Sequence, residues 1–316
     1  CNVAIGFQSL KCNTVGNITA VGSCALFTNS TGTGNTAVGY FANKLNTTGT
    51  DNTSVGREAL EANTTASGNT AVGYQSLTLN TTGGSNTALG QLAMCASTEG
   101  EANTAVGRLA LAKNTTADNN TAVGAQSLRC VTTNGDNTAV GTLALNKSTA
   151  SNSTAVGACA LRCNTTGTDN TAMGACALNL NSSGAYNSAF GYRSLDSSTS
   201  ASSNTAVGFH SMCKTTTGAN NTAVGFCSLQ ANTTGASNVA VGYNSMLTNT
   251  EGANNVAMGV LALEMNTTGD GNTAIGREAL EANQTADNNT AVGLKALEAN
   301  TTGAQSVAVG VEALKT

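Results

Sequence analysis

The chain has 316 residues, with no Pro, no Trp, one His (His210), 3% aromatic and 9% charged residues, 36 Gly and a formal net charge of −4. Ordinary domains carry about 25% charged residues, so Thr, Asn, Ala and Gly must keep this surface wet, and nothing basic invites nucleic acid. So polar a composition would signal disorder if it did not obey a strict period.

In chain order, the glycine after each Ala-Val step recurs at Gly6, Gly22, Gly39, Gly56, Gly73, Gly90, Gly107, Gly124 and Gly141. It continues at Gly157, Gly174, Gly191, Gly208, Gly225, Gly242, Gly259, Gly276, Gly293 and Gly310. The spacing is 17 except for the two steps ending at Gly22 and Gly157, which are 16. The consensus is N-T-A-V-G-x-x-A-L-x-x-N-T-T-G-x-x, with positions numbered from its first Asn, and about nineteen copies fill the chain. A unit this short cannot hold the helix pair of a helical repeat, which needs roughly 30 to 47 residues.

Positions 2–4 predict a short strand. Position 2 is usually Thr, with Val at Val239, Val256 and Val307; position 4 is apolar throughout, with Leu89, Met173, Phe190, Met258 and Ile275 replacing Val. In extended chain these two positions share a face. The position-5 glycines, among them Gly39, Gly56, Gly73, Gly174 and Gly225, are expected to take positive φ in the turn that follows. Positions 8 and 9 predict a second short strand, Ala or Ser followed by Leu or Met; Asn43 is the exception, with Leu45 expected to substitute for it. Asn-Thr-Thr-Gly then makes a corner. Its Asn (Asn46, Asn63, Asn80, Asn164, Asn232, Asn300) would stack on its equivalents at about 4.8 Å and hydrogen-bond along the stack as a ladder. Position 15 is Gly or another small residue, expected in a left-handed turn.

These features predict an all-β fold, a parallel β-solenoid forming one repeat domain over residues 1–316. Each rung is expected to bury its position-4 and position-9 side chains for roughly 1.5–3 kcal/mol apiece. Ordering the backbone costs about 1–2 kcal/mol per residue, so a lone rung cannot fold and stacking must close the gap. Nineteen rungs would give a rod of roughly 90 Å. The Ala/Ser restriction at positions 3 and 8 fits either a cramped interior or a subunit contact along the rod.

Asn-Val-Ala-Ile-Gly at 2–6, Asn-Val-Ala-Val-Gly at 238–242 and Ser-Val-Ala-Val-Gly at 306–310 resemble the YadA-like head repeat of trimeric autotransporter adhesins. Asn-Thr-Ala-Val-Gly-Tyr-Gln-Ser-Leu at 69–77 is similar to repeats of phage tail fibres. The resemblance covers the whole chain, although its unit is longer than the head repeat. It implies a left-handed β-roll, a parallel homotrimer, and use for attachment or as a fibre shaft outside the cell, on a virion or cell surface.

Chemistry-bearing clusters are scarce. A single His leaves no basis for a catalytic triad, no zinc-ligand spacing is present, and neither enzyme activity, cofactor nor metal is expected. Asp51, Asp118, Asp136, Asp169, Asp270 and Asp287 sit at corners, where solvated turn carboxylates are the expectation over a calcium-binding β-roll. Seven of the ten cysteines place inter-rung disulfides within reach: Cys159 with Cys176 at one position, and Cys12 with Cys24, Cys163 with Cys176 and Cys213 with Cys227 as diagonal neighbours. The alternative is Cys as a small, tolerated residue. Asn-x-Ser/Thr triplets such as those at Asn46, Asn119 and Asn181 fit corner chemistry or, in a eukaryotic secretory route, glycosylation. At position 6, Tyr192, Phe209, Phe226 and Tyr243 occupy consecutive rungs and should form an outward stripe, either a stiffening ladder or a contact patch for a glycan or protein receptor, with His210 at its rim.

The chain begins at Cys1 on a repeat boundary and stops within its last rung, which suggests a segment of a longer fibre. A shaft or adhesin is the leading expectation, with self as the partner and no membrane insertion in this segment. A self-assembling extracellular filament is the alternative. An ice-binding solenoid fits poorly, because the column beside Thr is apolar.

Overall fold

The computed structural model describes residues 1–315; Thr316 lies outside the described residues. One short strand per repeat runs from β1 (Asn2–Ile5) to β19 (Val307–Val309), and the described residues contain no helix. The chain divides into two compact units, Cys1–Ala155 and Val156–Thr316.

In the first unit every strand from β1 to β9 (Thr138–Val140) pairs in parallel with the next. Equivalent residues face each other, as in Thr36↔Thr53, Ala37↔Ser54 and Val38↔Val55. The short first repeat is absorbed by pairing Asn2 with Ile18. In the second unit the same holds from β11 (Thr171–Met173) to β19, as in Val239↔Val256, Ala240↔Ala257 and Val241↔Met258. The chain is an all-β parallel β-solenoid of about nineteen repeats.

Which side chains face inward differs from the sequence expectation. Ala37, Ala71, Ala105, Ala189 and Ala223 at position 3 are fully buried, whereas position 4 points outward, with Val38, Leu89, Met173, Val224 and Met258 all about two-fifths exposed. The three-residue strand alternates as a strand must, but it turns its valine to solvent and its alanine to the core. The interior apolar column is position 9: Leu26, Leu60, Leu77, Met94 and Leu111 in one unit, Leu178, Leu195, Met212, Leu229 and Leu263 in the other, all fully buried. Position-8 Ala is fully buried too, as at Ala59 and Ala262. The small residues therefore line a cramped interior and are closed to a partner subunit.

Positions 8 and 9 are not a second strand. Position 9 takes positive φ, 49° at Leu77 and 51° at Leu229, as does position 7, 51° at Gln75 and 52° at Cys227. The segment is a tight turn that aims positions 8 and 9 inward together. A left-handed conformation costs an ordinary residue about 1–2 kcal/mol, and burying a whole leucine offsets a cost of that size. At the irregular rung Asn43 itself occupies the leucine column, fully buried and with neither amide atom hydrogen-bonded, while Leu45 is 40% exposed and does not replace it.

The expected glycine turn is present at position 5: Gly174 has φ 140°, and a Cβ added there would sit 2.6 Å from the carbonyl carbon of Gly191 on the next rung. Position 15 is different. Gly49 is not left-handed; its corner turns at position 17 instead, at Asp51 with φ 56°. Smallness at 15 has another cause, since a Cβ on Gly49 would crowd Oδ1 of Asn46 at 2.5 Å.

Two asparagine columns complete the core. At position 12, Nδ2 of Asn46 donates to Oδ1 of Asn29 (2.7 Å), Asn63 to Asn46 (2.8 Å) and Asn80 to Asn63 (3.2 Å). The second hydrogen of each amide goes to the position-15 carbonyl of its own rung, as from Asn46 to Gly49 (3.0 Å). At position 1, Oδ1 of Asn35 accepts the backbone N–H of Asn52 and Oδ1 of Asn52 that of Asn69, both 3.0 Å, while Nδ2 of Asn35 donates to the Gly49 carbonyl (2.7 Å). The sequence anticipated the first column; the second is equally buried.

Candidate interaction face

Because position 4 faces outward and position 6 follows the turn on the same side of the glycine, the surface carries two apolar columns. In the second unit the columns are richest where Phe190, Val207 and Val224 share rungs with Tyr192, Phe209 and Phe226, all six at least 36% exposed, and Tyr243 and Met258 extend the two columns. The aromatic stripe forms as expected. Ring centroids lie 5.5 Å apart for Tyr192–Phe209, 5.1 Å for Phe209–Phe226 and 5.5 Å for Phe226–Tyr243, with planes tilted by 20°, 7° and 12°. His210 stacks on Phe209 at 4.2 Å, and burial, followed by the charge of Arg193, holds its pKa below the ordinary value.

This geometry discriminates among ligands. Sugars are gripped by ring faces, and here the faces are used up on one another, leaving a row of edges. In the first unit Arg57 lies between the rings of Tyr40 (5.9 Å) and Tyr74 (5.7 Å), and its guanidinium pairs with Glu58 at 2.9 Å. An arginine in the column is thus satisfied without burial.

Beyond the turn glycine, positions 7 and 10 form a second, ionic strip. Lys295 reaches Glu278 on the preceding rung (2.6 Å) and Glu298 on its own (2.7 Å), while Lys315 approaches Glu298 at 3.7 Å. The hydrogen bond from Lys295, with that from Arg277, holds the Glu278 carboxyl below its usual range, whereas burial and the neighbouring carboxylates of Glu278, Glu264 and Glu298 push Glu281 up. Glu278, Glu281 and Glu298 bring carboxylate oxygens within 4.8 Å of one another, and Lys295 already supplies a cation there. Sequence reading missed this cluster; glutamates at positions 7 and 10 on consecutive rungs would have been its signal. Three corner aspartates act as caps: Asp118 accepts from the N–H of Glu101 (2.7 Å), Asp270 from that of Ala253 (2.6 Å) and Asp287 from that of Asp270 (2.8 Å), each on the preceding rung.

All ten cysteines carry free thiols, and Cys159, Cys163, Cys176 and Cys213 are half-buried. No helix among the described residues is long and apolar enough to cross a membrane.

These features place the chain among the parallel β-solenoid proteins, a class defined by architecture. No protein-family model matches the chain, and no curated protein is similar to it.

Proposed function

We propose that this chain is a non-catalytic structural shaft, part of a fibre or adhesin displayed outside the cell on a virion or cell surface, and that it works as a parallel homotrimer. The observation that carries the reading is the outward apolar column at position 4, apolar in every rung and nowhere buried, with Val38, Leu89, Met173, Phe190 and Met258 about two-fifths exposed. Each such side chain would contribute on the order of 0.5–1 kcal/mol on being covered, and the gain repeats at every rung. A surface with this period is matched side chain for side chain only by another surface with the same period, which makes a second copy of the chain the natural cover. The count of three and the parallel sense come from the resemblance to YadA-like heads and tail-fibre repeats. Edge-on aromatics suit packing against such a copy better than they suit a glycan.

Sedimentation equilibrium tests the proposal. At micromolar concentration the mass should be three times the 31.2 kDa of one chain. Val207→Lys with Val224→Lys should lower it while leaving the β circular dichroism intact. A wild-type chain that sediments as a monomer overturns the reading.

A further inference from the structure

The cysteines of the second unit cluster around a break in the position-12 ladder. In the second unit that column reads Asn164, Asn181, Ser198, Thr215, Asn232, Asn249, Asn266, Asn283 and Asn300. All five cysteines of the unit fall between Cys159 and Cys227, around the Ser198–Thr215 interruption, and none lies in residues 238–300, where the ladder is unbroken. In the first unit Cys95 and Cys130 stand beside the substituted positions Ser97 and Val131, whereas Cys12 and Cys24 lie on rungs joined by an intact link, Asn29 to Asn13 at 2.9 Å.

A second observation concerns placement. Positions 7 and 10 are where this solenoid ties rung to rung through side chains, by Lys295–Glu278 at 2.6 Å, Gln75–Glu58 at 2.7 Å and Lys44–Glu61 at 3.9 Å. Cys159 and Cys176 hold position 7 on consecutive rungs; Cys213 at position 10 is followed by Cys227 at position 7 of the next. The backbones are in register there, with the N–H of Cys176 on the Ala158 carbonyl (2.9 Å) and that of Cys227 on the Phe209 carbonyl (3.0 Å). Equivalent positions on stacked rungs, such as Cys159 and Cys176, lie about 4.8 Å apart, inside the Cα separation of about 4.4–6.8 Å that a disulfide spans, and Cys213 is close enough to Cys227 to act on its thiol electrostatically.

We propose that Cys159–Cys176 and Cys213–Cys227 are redox staples, closing as disulfides in an oxidising setting, the second across the broken Thr215–Asn232 step of the ladder and the first on the rungs just before the break, where Asn181 still donates to Asn164. Oxidised glutathione supplies the oxidant. One cysteine thiolate attacks its S–S bond, releasing a glutathione thiolate; the partner thiolate then attacks the mixed disulfide, forming the protein S–S bond and releasing the second. Two protein thiols are oxidised, one glutathione disulfide is reduced, and the two protons leave with the two glutathione thiols. Burial raises the thiol pKa of Cys176, Cys213 and Cys227, so closure should be slow at neutral pH and faster as pH rises.

The test is to hold the full chain with oxidised glutathione at about pH 8.5, near the ordinary thiol pKa, and then map peptides and follow amide hydrogen exchange. Both pairs should appear as intramolecular cross-links, each two hydrogens lighter than its thiols. Exchange across residues 154–231 should slow by about tenfold or more, residues 238–300 should not change, and dithiothreitol should reverse the effect. Cys176→Ser should abolish only the first cross-link and Cys227→Ser only the second. Persistent glutathione adducts on the single thiols, cross-links between chains, or slowing that extends equally through 238–300 would each overturn the proposal.

Discussion

Two stretches of the second unit share one backbone and differ in one column. From Asn232 to Asn300 each asparagine donates to the one before it, at 3.0, 2.7, 3.0 and 3.3 Å. From Asn181 to Thr215 the column fails: Oδ1 of Asn181, Oγ of Ser198 and Oγ1 of Thr215 are buried without a partner. The strands on either side pair in the same register in both stretches. Backbone stacking therefore tolerates the interruption, and its cost falls on side-chain satisfaction. Burying an unpaired polar group costs about 1–3 kcal/mol, so the interrupted stretch should open first.

The severest way to break the comparison is to damage the backbone both stretches share. Gly174→Val forces a β-branched residue to φ 140° and drives its Cβ against the Gly191 carbonyl. A loss of about 4 kcal/mol or more is expected, seen as a lowered melting temperature with exchange accelerating first in the rungs around the substitution. An unchanged melting curve would show that the glycine is not conformationally required.

Asn43→Leu carries the lesson to the other interior column. It removes two unpaired amide atoms from between Leu26 and Leu60 and restores an apolar side chain, so stability should rise by about 2–4 kcal/mol in denaturant titration. A loss would mean that the amide has a partner in solution.

Exchanging the two stretches' chemistry sharpens the comparison directly. Ser198→Asn offers an Nδ2 to the orphaned Oδ1 of Asn181 and should stabilise by about 1–2 kcal/mol. Asn249→Ser orphans the Oδ1 of Asn232 and takes the acceptor from Nδ2 of Asn266, and should cost a comparable amount. Local exchange rates should shift in opposite directions in the two variants.

The smallest effect is ionic. The folded pKa of Glu278 is depressed, first by its hydrogen bond to Lys295. Its contribution is therefore present above the unfolded glutamate pKa and lost as pH falls through the depressed folded value. Glu281 is raised and works the other way, its charged form being disfavoured in the fold as pH rises through the ordinary carboxylate range. Glu278→Gln should lower the melting temperature at pH 7 and leave it unchanged once both variants are fully protonated, whereas Glu281→Gln should raise it slightly at pH 7.

The sequence reveals the period, the parallel stack, the position-5 glycine turn and the position-12 ladder, because each demands one residue type at one position. It does not reveal which face of Thr-Ala-Val is the inside. Alternation says only that positions 2 and 4 share a face, and a valine reads as core on either one. The clue was variance: position 4 accepts Val38, Leu89, Met173 and Phe190, which differ widely in volume, whereas position 3 admits only Ala or Ser. A narrow interior tolerates no such spread. The left-handed leucines were hidden for a different reason, since nothing about Leu favours φ near 50° and only the burial of the finished stack does. The aromatic stripe was legible from its spacing, but not that its faces would be turned along the stack.

Every link of the position-12 column runs the same way, the later amide donating and the earlier accepting. Side-chain dipoles arranged so add rather than cancel, as peptide dipoles do along a helix. Each uninterrupted run is thus a small electret, with its N–H pole at the low-numbered end and its oxygen pole at the high-numbered end. The bare oxygens of Asn80 and Asn181 are such negative poles, so each run has an electrical direction that the chain's nearly uncharged composition conceals.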